Sequence, residues 1–77
     1  MADRLEVFDV SQTDRDGKVI WTQMGTIERR TDGIIVCEPE SMLDLLRRPT
    51  ILGHDPMEWL DGWSNGYVSV KAPNAST

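Results

Sequence analysis

Residues 18–36 constrain the fold of this chain most, because they have the pattern of two β-strands joined by a turn. Residues 19–22 are β-branched or aromatic, and such side chains fit the pleated surface of a strand. Asp32-Gly33 is a turn signal, since glycine adopts a positive φ at no steric cost. Gly25 interrupts the first strand, where a glycine usually marks a bulge or a close backbone approach. The segment therefore predicts a central β-hairpin.

Apolar side chains fall on both faces of the first strand of this hairpin, so we expect it to be a central strand or to be contacted on both sides, with Trp21 in the core. Residues 34–37 read IIVC, the strongest apolar run of the chain, and predict the best-buried strand, with Cys37 as an inert, buried thiol. Residues 5–10 predict an earlier strand whose apolar alternation slips near Phe8, as it does at a bulge.

A helix is predicted directly after the hairpin. Pro39 suits its first turn, and Ser41 with Asp44 resembles a shortened capping box. Apolar residues at positions 42, 43, 45 and 46 would face the sheet. Pro49 predicts the end of this helix, because the residue before a proline is pushed out of the α region. Residues 50–54 predict a link with at most a short strand, whose Ile51 and Leu52 pack inward.

A second short helix has clear boundaries in the sequence. Asp55 is a capping residue, Pro56 fits the first helical position, and Glu58 stands three residues after the cap. Gly62 predicts the end of the helix, near residue 61. Asn65-Gly66 then predicts a type I′ hairpin turn.

The last predicted strand spans residues 67–71, at a sheet edge or beside the first strand, and residues 72–77 predict a disordered tail. The order β-β-β-α-α-β predicts one small α+β domain over residues 1–77. It would have a mainly antiparallel sheet of about four strands, with the two helices on one face.

Size and charge restrict the function. A single core in 77 residues gives only roughly 3–5 kcal/mol of net stability, and one cysteine cannot form an intrachain disulfide, so a partner or self-association is the expected support. The formal net charge of −5 opposes electrostatic binding to nucleic acid or to a membrane surface. It also opposes single-strand binding by the arginine pairs 29–30 and 47–48 together with the tryptophans. The absence of cysteine pairs, of a signal peptide and of a long apolar run predicts a cytoplasmic protein.

Catalytic constellations are weak throughout the sequence. His54 is the single histidine, and with Asp55 and Glu58 it makes a poor transition-metal site. The turn at residues 11–17 has the spacing of part of an EF-hand loop, but glutamines stand where that loop needs acids, so it predicts a hairpin turn. Neither a nucleophile elbow nor a phosphate loop is present. We therefore predict no catalytic residue, metal or cofactor, with a small enzyme dependent on His54 as an alternative.

The tryptophans are the most informative feature for function. Trp59 and Trp63 lie beside an acidic helix, and they either close the core or act as exposed anchors for another protein, since interface energy concentrates in Trp, Tyr and Arg. An acidic patch can occupy a basic, nucleic-acid-binding groove on a protein partner. The predicted partner-binding residues are Asp55, Glu58, Trp59, Asp61, Trp63 and Tyr67.

These features predict a small protein-interaction module that binds and inhibits or regulates a larger protein or nucleoprotein complex. Its partner would have a basic surface, without direct contact to nucleic acid or membrane. Small phage or mobile-element inhibitors of host defence, anti-CRISPR proteins among them, share this size and charge, which is an analogy of class only. The alternative is a homodimeric accessory subunit or antitoxin-like regulator that pairs an edge strand, residues 5–10 or 67–71, across the interface.

Overall fold

The computed structural model describes residues 3–73. The strands are β1 (Arg4–Thr13), β2 (Val19–Arg29), β3 (Ile35–Glu38) and β4 (Val68–Lys71). Between β3 and β4 lie a 3-10 helix (Glu40–Leu43) and the helices α1 (Asp44–Ile51) and α2 (Pro56–Leu60). The sheet is antiparallel in the order β3-β2-β1-β4, which confirms the predicted α+β class. Of the predicted tail, residues 74–77 lie outside the described residues.

The core lies between one face of the sheet and the helices. In the strand ladders Leu5 stands opposite Ile27, and Val7 stands opposite Val70, so these four side chains share that face. The helices pack their own apolar side chains against this face of the sheet. The buried core residues are Leu5, Val7, Ile27, Met42, Met57, Leu60 and Val70.

Gly25, in the middle of β2, allows another backbone segment to pack closely against this strand. The β1–β2 register steps from Val7 opposite Gly25 to Phe8 opposite Gln23, which leaves Met24 as an extra residue in a bulge. The Gly25 backbone also packs against the segment that follows β3. Both expectations for Gly25, a bulge and a close backbone approach, are confirmed.

Beyond this bulge the first two strands project as a two-stranded arm, residues 10–24. β4 pairs only with residues 6–9 and β3 only with residues 26–29, so neither neighbour runs along the arm. Trp21 lies on the arm and is 48 % exposed. Val19 and Ile20 are exposed to a similar degree. The prediction that Trp21 is a core residue is therefore wrong, because the helices cover the other end of the sheet.

The strand β3 is likewise less buried than its composition suggests. Ile35 and Cys37 are half-buried against the core, whereas Ile34 and Val36 are exposed. The prediction of the best-buried strand is wrong because β3 is an edge strand with only one face covered.

The first helix departs from its prediction at both ends. No side-chain cap hydrogen bond begins the 3-10 helix, so neither Ser41 nor Asp44 acts as a capping box. α1 continues through Pro49, whose ring is buried, and ends at Ile51. Proline removes a single backbone hydrogen bond here, and burial of its ring offsets that loss. Ile51 and Leu52 are 76 % and 58 % exposed, so the prediction that they pack inward is wrong.

α2 follows its sequence signals closely. The side chain of Asp55 accepts a hydrogen bond from the N–H of Met57 at 3.0 Å, and Pro56 is the first helical residue. Gly62, with φ of 83°, follows the helix and allows the chain to turn.

The final hairpin uses a different turn from the one predicted. Gly66 has a φ of 91°, but no non-glycine residue in the described part of the chain has a positive φ, so Asn65 cannot complete a type I′ turn. Instead, the Asn65 side-chain oxygen accepts hydrogen bonds from the N–H groups of Tyr67 and Val68, at 2.9 and 2.8 Å. The turn is thus closed by this side chain together with a backbone hydrogen bond from the Asn65 N–H to the Val68 carbonyl at 3.1 Å.

Neither strand proposed for homodimer pairing has a free edge. Residues 5–10 lie in β1, between β2 and β4. On the side of β4 away from β1, the N–H of Val70 donates to the carbonyl of Trp63 at 2.8 Å, and the carbonyl of Val70 accepts from the N–H of Gly62 at 3.0 Å. The segment at residues 62–65 therefore covers the outer edge of β4, and the prediction that this edge is exposed is wrong.

Candidate functional site

We use the name tryptophan surface for five of the predicted partner-binding residues, all within residues 58–67: Glu58, Trp59, Asp61, Trp63 and Tyr67. The rings of Trp59 and Trp63 lie with centroids 6.1 Å apart and planes tilted by 30°. Both side chains are half-buried and pack against the core. Each ring therefore packs against the core on one side and meets solvent on the other.

The carboxylates of this surface stand free of the core. Glu58 and Asp61 are both exposed, one within α2 and one directly after it. Tyr67 is 69 % exposed in the turn that precedes β4. The surface thus combines two fixed indole rings, an exposed phenol and two carboxylates.

Asp55 differs from the other acids of the predicted set. Its Oδ1 accepts hydrogen bonds from the Arg29 guanidinium and from the N–H of Met57. Burial raises the pKa of this carboxyl, but those hydrogen bonds and the charge of Arg29 outweigh burial and lower the pKa below its ordinary value. Asp55 ties α2 to β2, so the prediction that it faces outward with Glu58 and Asp61 is wrong. Arg29 is 26 positions away, and no local pattern indicates the pairing.

We expect Asp55→Ala to destabilise the fold by about 1 kcal/mol near neutral pH, because α2 loses its cap. The folded-state pKa of Asp55 lies below the unfolded value of about 3.9, so its stabilising contribution is complete above that value. The contribution is lost as pH falls through the folded-state pKa. Urea denaturation of wild type and variant between pH 2 and pH 7 measures this difference, which should shrink toward acid.

Asp61→Ala is the matched control for this prediction, since it removes an exposed carboxylate just beyond the same helix. We expect it to change stability by less than about 0.5 kcal/mol. An Asp55→Ala effect as small as that of the control would contradict the role of Asp55 as cap and tether.

His54 lies at a small cavity of about 290 Å³ that Asp55, Glu58 and Trp59 also line. Among residues 3–73 no group of three or more His, Cys, Asp or Glu side chains could hold a metal ion. Asp55 is already paired with Arg29, and His54 and Glu58 are the other titratable groups that line this cavity.

The other residues considered for metal binding or reactivity, Asp14 and Cys37, have structural roles. Asp14 Oδ1 accepts hydrogen bonds from the N–H groups of Asp16 and Lys18, both at 2.9 Å, which confirms a hairpin turn there. Burial raises the pKa of the Cys37 thiol, which disfavours the reactive thiolate.

Three of the four arginines in the two basic pairs form ion pairs with aspartates. Arg29 binds Asp55, Arg30 lies 3.3 Å from an Asp32 oxygen, and Arg47 lies 3.6 Å from an Asp44 oxygen. Pairing with carboxylates reduces the positive charge that phosphate binding would require.

Sequence reasoning missed a cluster on the face of the sheet that the helices leave open. The rings of Phe8 and Trp21 meet edge to face, with centroids 5.5 Å apart. The ammonium of Lys71 lies 4.5 Å from the Trp21 ring centroid and 5.2 Å from that of Phe8, within the range of cation–π attraction. Three strands supply these residues, and the slip in alternation near Phe8 was the only local signal.

Fold and surfaces together define a small α+β domain that presents aromatic and acidic side chains. No family model, curated protein or solved structure matches the chain. Between residues 3 and 73 no helix combines the length and the apolar character needed to cross a membrane.

Proposed function

We propose that this protein is a cytoplasmic protein-interaction module that binds a larger protein or nucleoprotein complex and inhibits or regulates it. One observation carries the proposal: the Trp59–Trp63 ring pair packs against the core yet is only half-buried, on the same short segment of chain as the exposed Glu58 and Asp61. Aromatic side chains at the centre of a surface with charged neighbours are the arrangement in which interface energy concentrates.

The packing of the tryptophans favours binding, because it limits the cost of ordering them. A side chain that is immobilised on association costs about 0.5–1.5 kcal/mol, and rings already packed against a core avoid most of that cost. Trp63 is further held by the backbone hydrogen bonds between residues 62–63 and Val70. Tyr67, which is far more exposed, adds contact area at the rim.

The charge of the surface indicates the kind of partner. Glu58 and Asp61 can accept charge-assisted hydrogen bonds from Arg and Lys side chains, as phosphates do. The net charge of −5 steers the whole molecule toward a basic surface. A groove that normally binds nucleic acid has such a surface, so occupation of that groove by this protein would block it. The proposed mode of action is therefore stoichiometric inhibition, the mode of small inhibitors of host defence such as anti-CRISPR proteins.

The double variant Glu58→Lys/Asp61→Lys should weaken binding at least about tenfold, because it places positive charge opposite the partner's cations. The protein, tagged at its C-terminus, is used to capture its partner from lysate of the source cell, with washes at low and high salt. The identified partner is then titrated with wild type and variant. We expect the wild-type complex to release at high salt, since exposed charges are screened.

Asp16→Lys/Glu40→Lys is the matched control, because it changes the net charge by the same amount at exposed positions outside α2. We expect it to retain most of the affinity. If both double variants bind the partner as tightly as wild type does, the tryptophan surface is not the binding site. If both double variants lose the same affinity, the effect is due to net charge and not to these two positions.

A further inference from the structure

Asn65-Gly66, in the turn before β4, is a pair of residues whose own atoms can react with each other. The side-chain carbon Cγ of an asparagine and the backbone nitrogen of the next residue close a small ring when a bond forms between them. Glycine favours this reaction, because it has no side chain to shield its nitrogen. The chain has one other asparagine, Asn74, which is followed by alanine. Asn65 is therefore the asparagine at which the sequence favours ring closure.

The turn polarises the Asn65 amide in the direction that this reaction needs. The N–H groups of Tyr67 and Val68 donate to Asn65 Oδ1 at 2.9 and 2.8 Å. Attack on Cγ places negative charge on that oxygen, and hydrogen bonds to an oxygen strengthen as it gains charge. Backbone donors held in position at such an oxygen stabilise the tetrahedral intermediate, as they do in an oxyanion hole. The Nδ2 group, which would depart, takes no part in these two hydrogen bonds.

The attacking nitrogen is weakly bonded and open to solvent. The N–H of Gly66 donates to Ser64 Oγ at 3.4 Å, a long hydrogen bond that costs little to break when the nitrogen loses its proton. Asn65 and Gly66 are both exposed. Apart from its chain neighbours, no atom of the described residues lies within 4 Å of the position that a Gly66 Cβ would take. Water and hydroxide therefore reach this turn.

We infer that Asn65 is a self-modification site, at which the Gly66 nitrogen displaces ammonia from the side-chain amide and water then puts a carboxylate in its place. The Gly66 nitrogen gives up its proton and attacks Cγ with its electron pair. The Cγ–Nδ2 bond breaks, and Nδ2 leaves as ammonia with a proton equivalent to the one given up. Water then adds to one of the two carbonyl carbons of the ring and breaks its bond to the ring nitrogen, which regains a proton. Solvent water is the only co-reactant.

The two directions of ring opening give products with different effects. Attack of water on Cγ gives aspartate at position 65, whose carboxylate can accept the same N–H groups of Tyr67 and Val68, so the turn is kept. Attack on the main-chain carbonyl carbon leaves the backbone running through Cγ, with one additional methylene group. That β-linked form loses the side-chain acceptor that closes the turn, and it weakens the contact between residues 62–65 and β4.

The aspartate product changes the tryptophan surface. Its carboxylate stands two positions from Trp63 and from Tyr67, and it makes the formal net charge of −5 more negative by one. It offers a further acceptor to a basic partner, a consequence that rests on the proposed function. The modification itself does not rest on that function, since it needs only the turn and water.

Mass spectrometry of the intact, folded protein during several weeks at physiological pH and temperature tests the inference. We expect a gain in mass equal to the exchange of an NH₂ group for an OH group, which fragmentation assigns to residue 65 and not to Asn74. The gain should be faster at higher pH, because the attacking nitrogen must lose its proton. Asn65→Asp removes the amide while keeping the acceptor and should show no gain at this position, whereas Asn74→Asp, the matched control, should gain mass as wild type does.

Three Asp-Gly pairs of the chain can close the same ring, but their products keep the original mass, so the gain in mass is specific to asparagine. Folded wild type that gains no mass at residue 65 would overturn the inference. If urea-unfolded protein gains mass there under the same conditions, the turn protects the amide instead of activating it. Urea denaturation follows the products: Asn65→Asp should have a midpoint near that of wild type, and the β-linked fraction of the aged protein should have a lower one.

Discussion

Replacement of Gly25 by alanine is expected to remove most of the stability of this protein. A Cβ atom at that position would lie 2.8 Å from Pro39 Cδ and from Met42 Cγ, and closer still to the carbonyl oxygen of Glu38. Met42 can rotate away, but the carbonyl and the proline ring are fixed to the backbone, so β3 and the 3-10 helix would have to move. Overpacking costs typically 1–3 kcal/mol, and the obstruction by backbone places this case at about 3 kcal/mol.

Urea denaturation followed by tryptophan fluorescence measures the loss. A core of this size supplies roughly 3–5 kcal/mol, so the variant should be partly unfolded without denaturant. Gln23→Ala, an exposed change in the same strand, is the control and should stay within about 0.5 kcal/mol of wild type. A Gly25→Ala midpoint equal to that of Gln23→Ala would show that β3 does not pass so close to β2.

Leu60→Ala is expected to cost about 2–5 kcal/mol, enough to unfold most of the chain at room temperature. The Leu60 side chain is fully buried at the end of α2, among the strand residues of the core. Its removal takes away apolar contact and leaves a cavity that the sheet, with its paired backbone, cannot close.

Leu52→Ala makes the same chemical change at the end of the other helix. Leu52 is 58 % exposed, so we expect a change below about 0.5 kcal/mol. Thermal or urea denaturation of the two variants side by side measures the difference. Equal losses would mean that Leu52 packs inward, as the sequence pattern predicts, and would contradict its exposed position.

The features that could be predicted from sequence are those in which neighbouring residues decide the conformation. Asp55, Pro56 and Gly62 bound α2 because cap, first position and stop act within one turn of the chain. The α+β order follows in the same way, from the change between strand and helix periods along the sequence. Gly25 belongs here too, since a glycine inside a strand indicates that something lies close, although the sequence does not say what.

The features that could not be predicted depend on what covers each surface. Trp21 and Val36 have apolar side chains suited to a core, but they are exposed because the helices reach neither the arm nor the outer face of β3. Pro49 was expected to end a helix, yet its ring is buried and the helix continues past it. For the candidate site, Trp59 and Trp63 are near in sequence, but their contact depends on the turn at Gly62 after the end of α2. The sequence does not indicate that Asp55 is separate from the exposed acids Glu58 and Asp61, because Arg29, which binds Asp55, comes from the distant strand β2.

The sequence by itself determined the order of the strands and α-helices, and the residues from which the tryptophan surface is built. Only the tertiary structure decided which apolar residues are buried, which carboxylates remain free, and which strand edge stays open. The physical reason is that secondary structure depends on interactions within a few residues, whereas burial and ion pairing depend on segments far apart in the chain. Here the short helices and the four-residue β3 are too small to cover the sheet, and the uncovered part is the arm that carries Trp21.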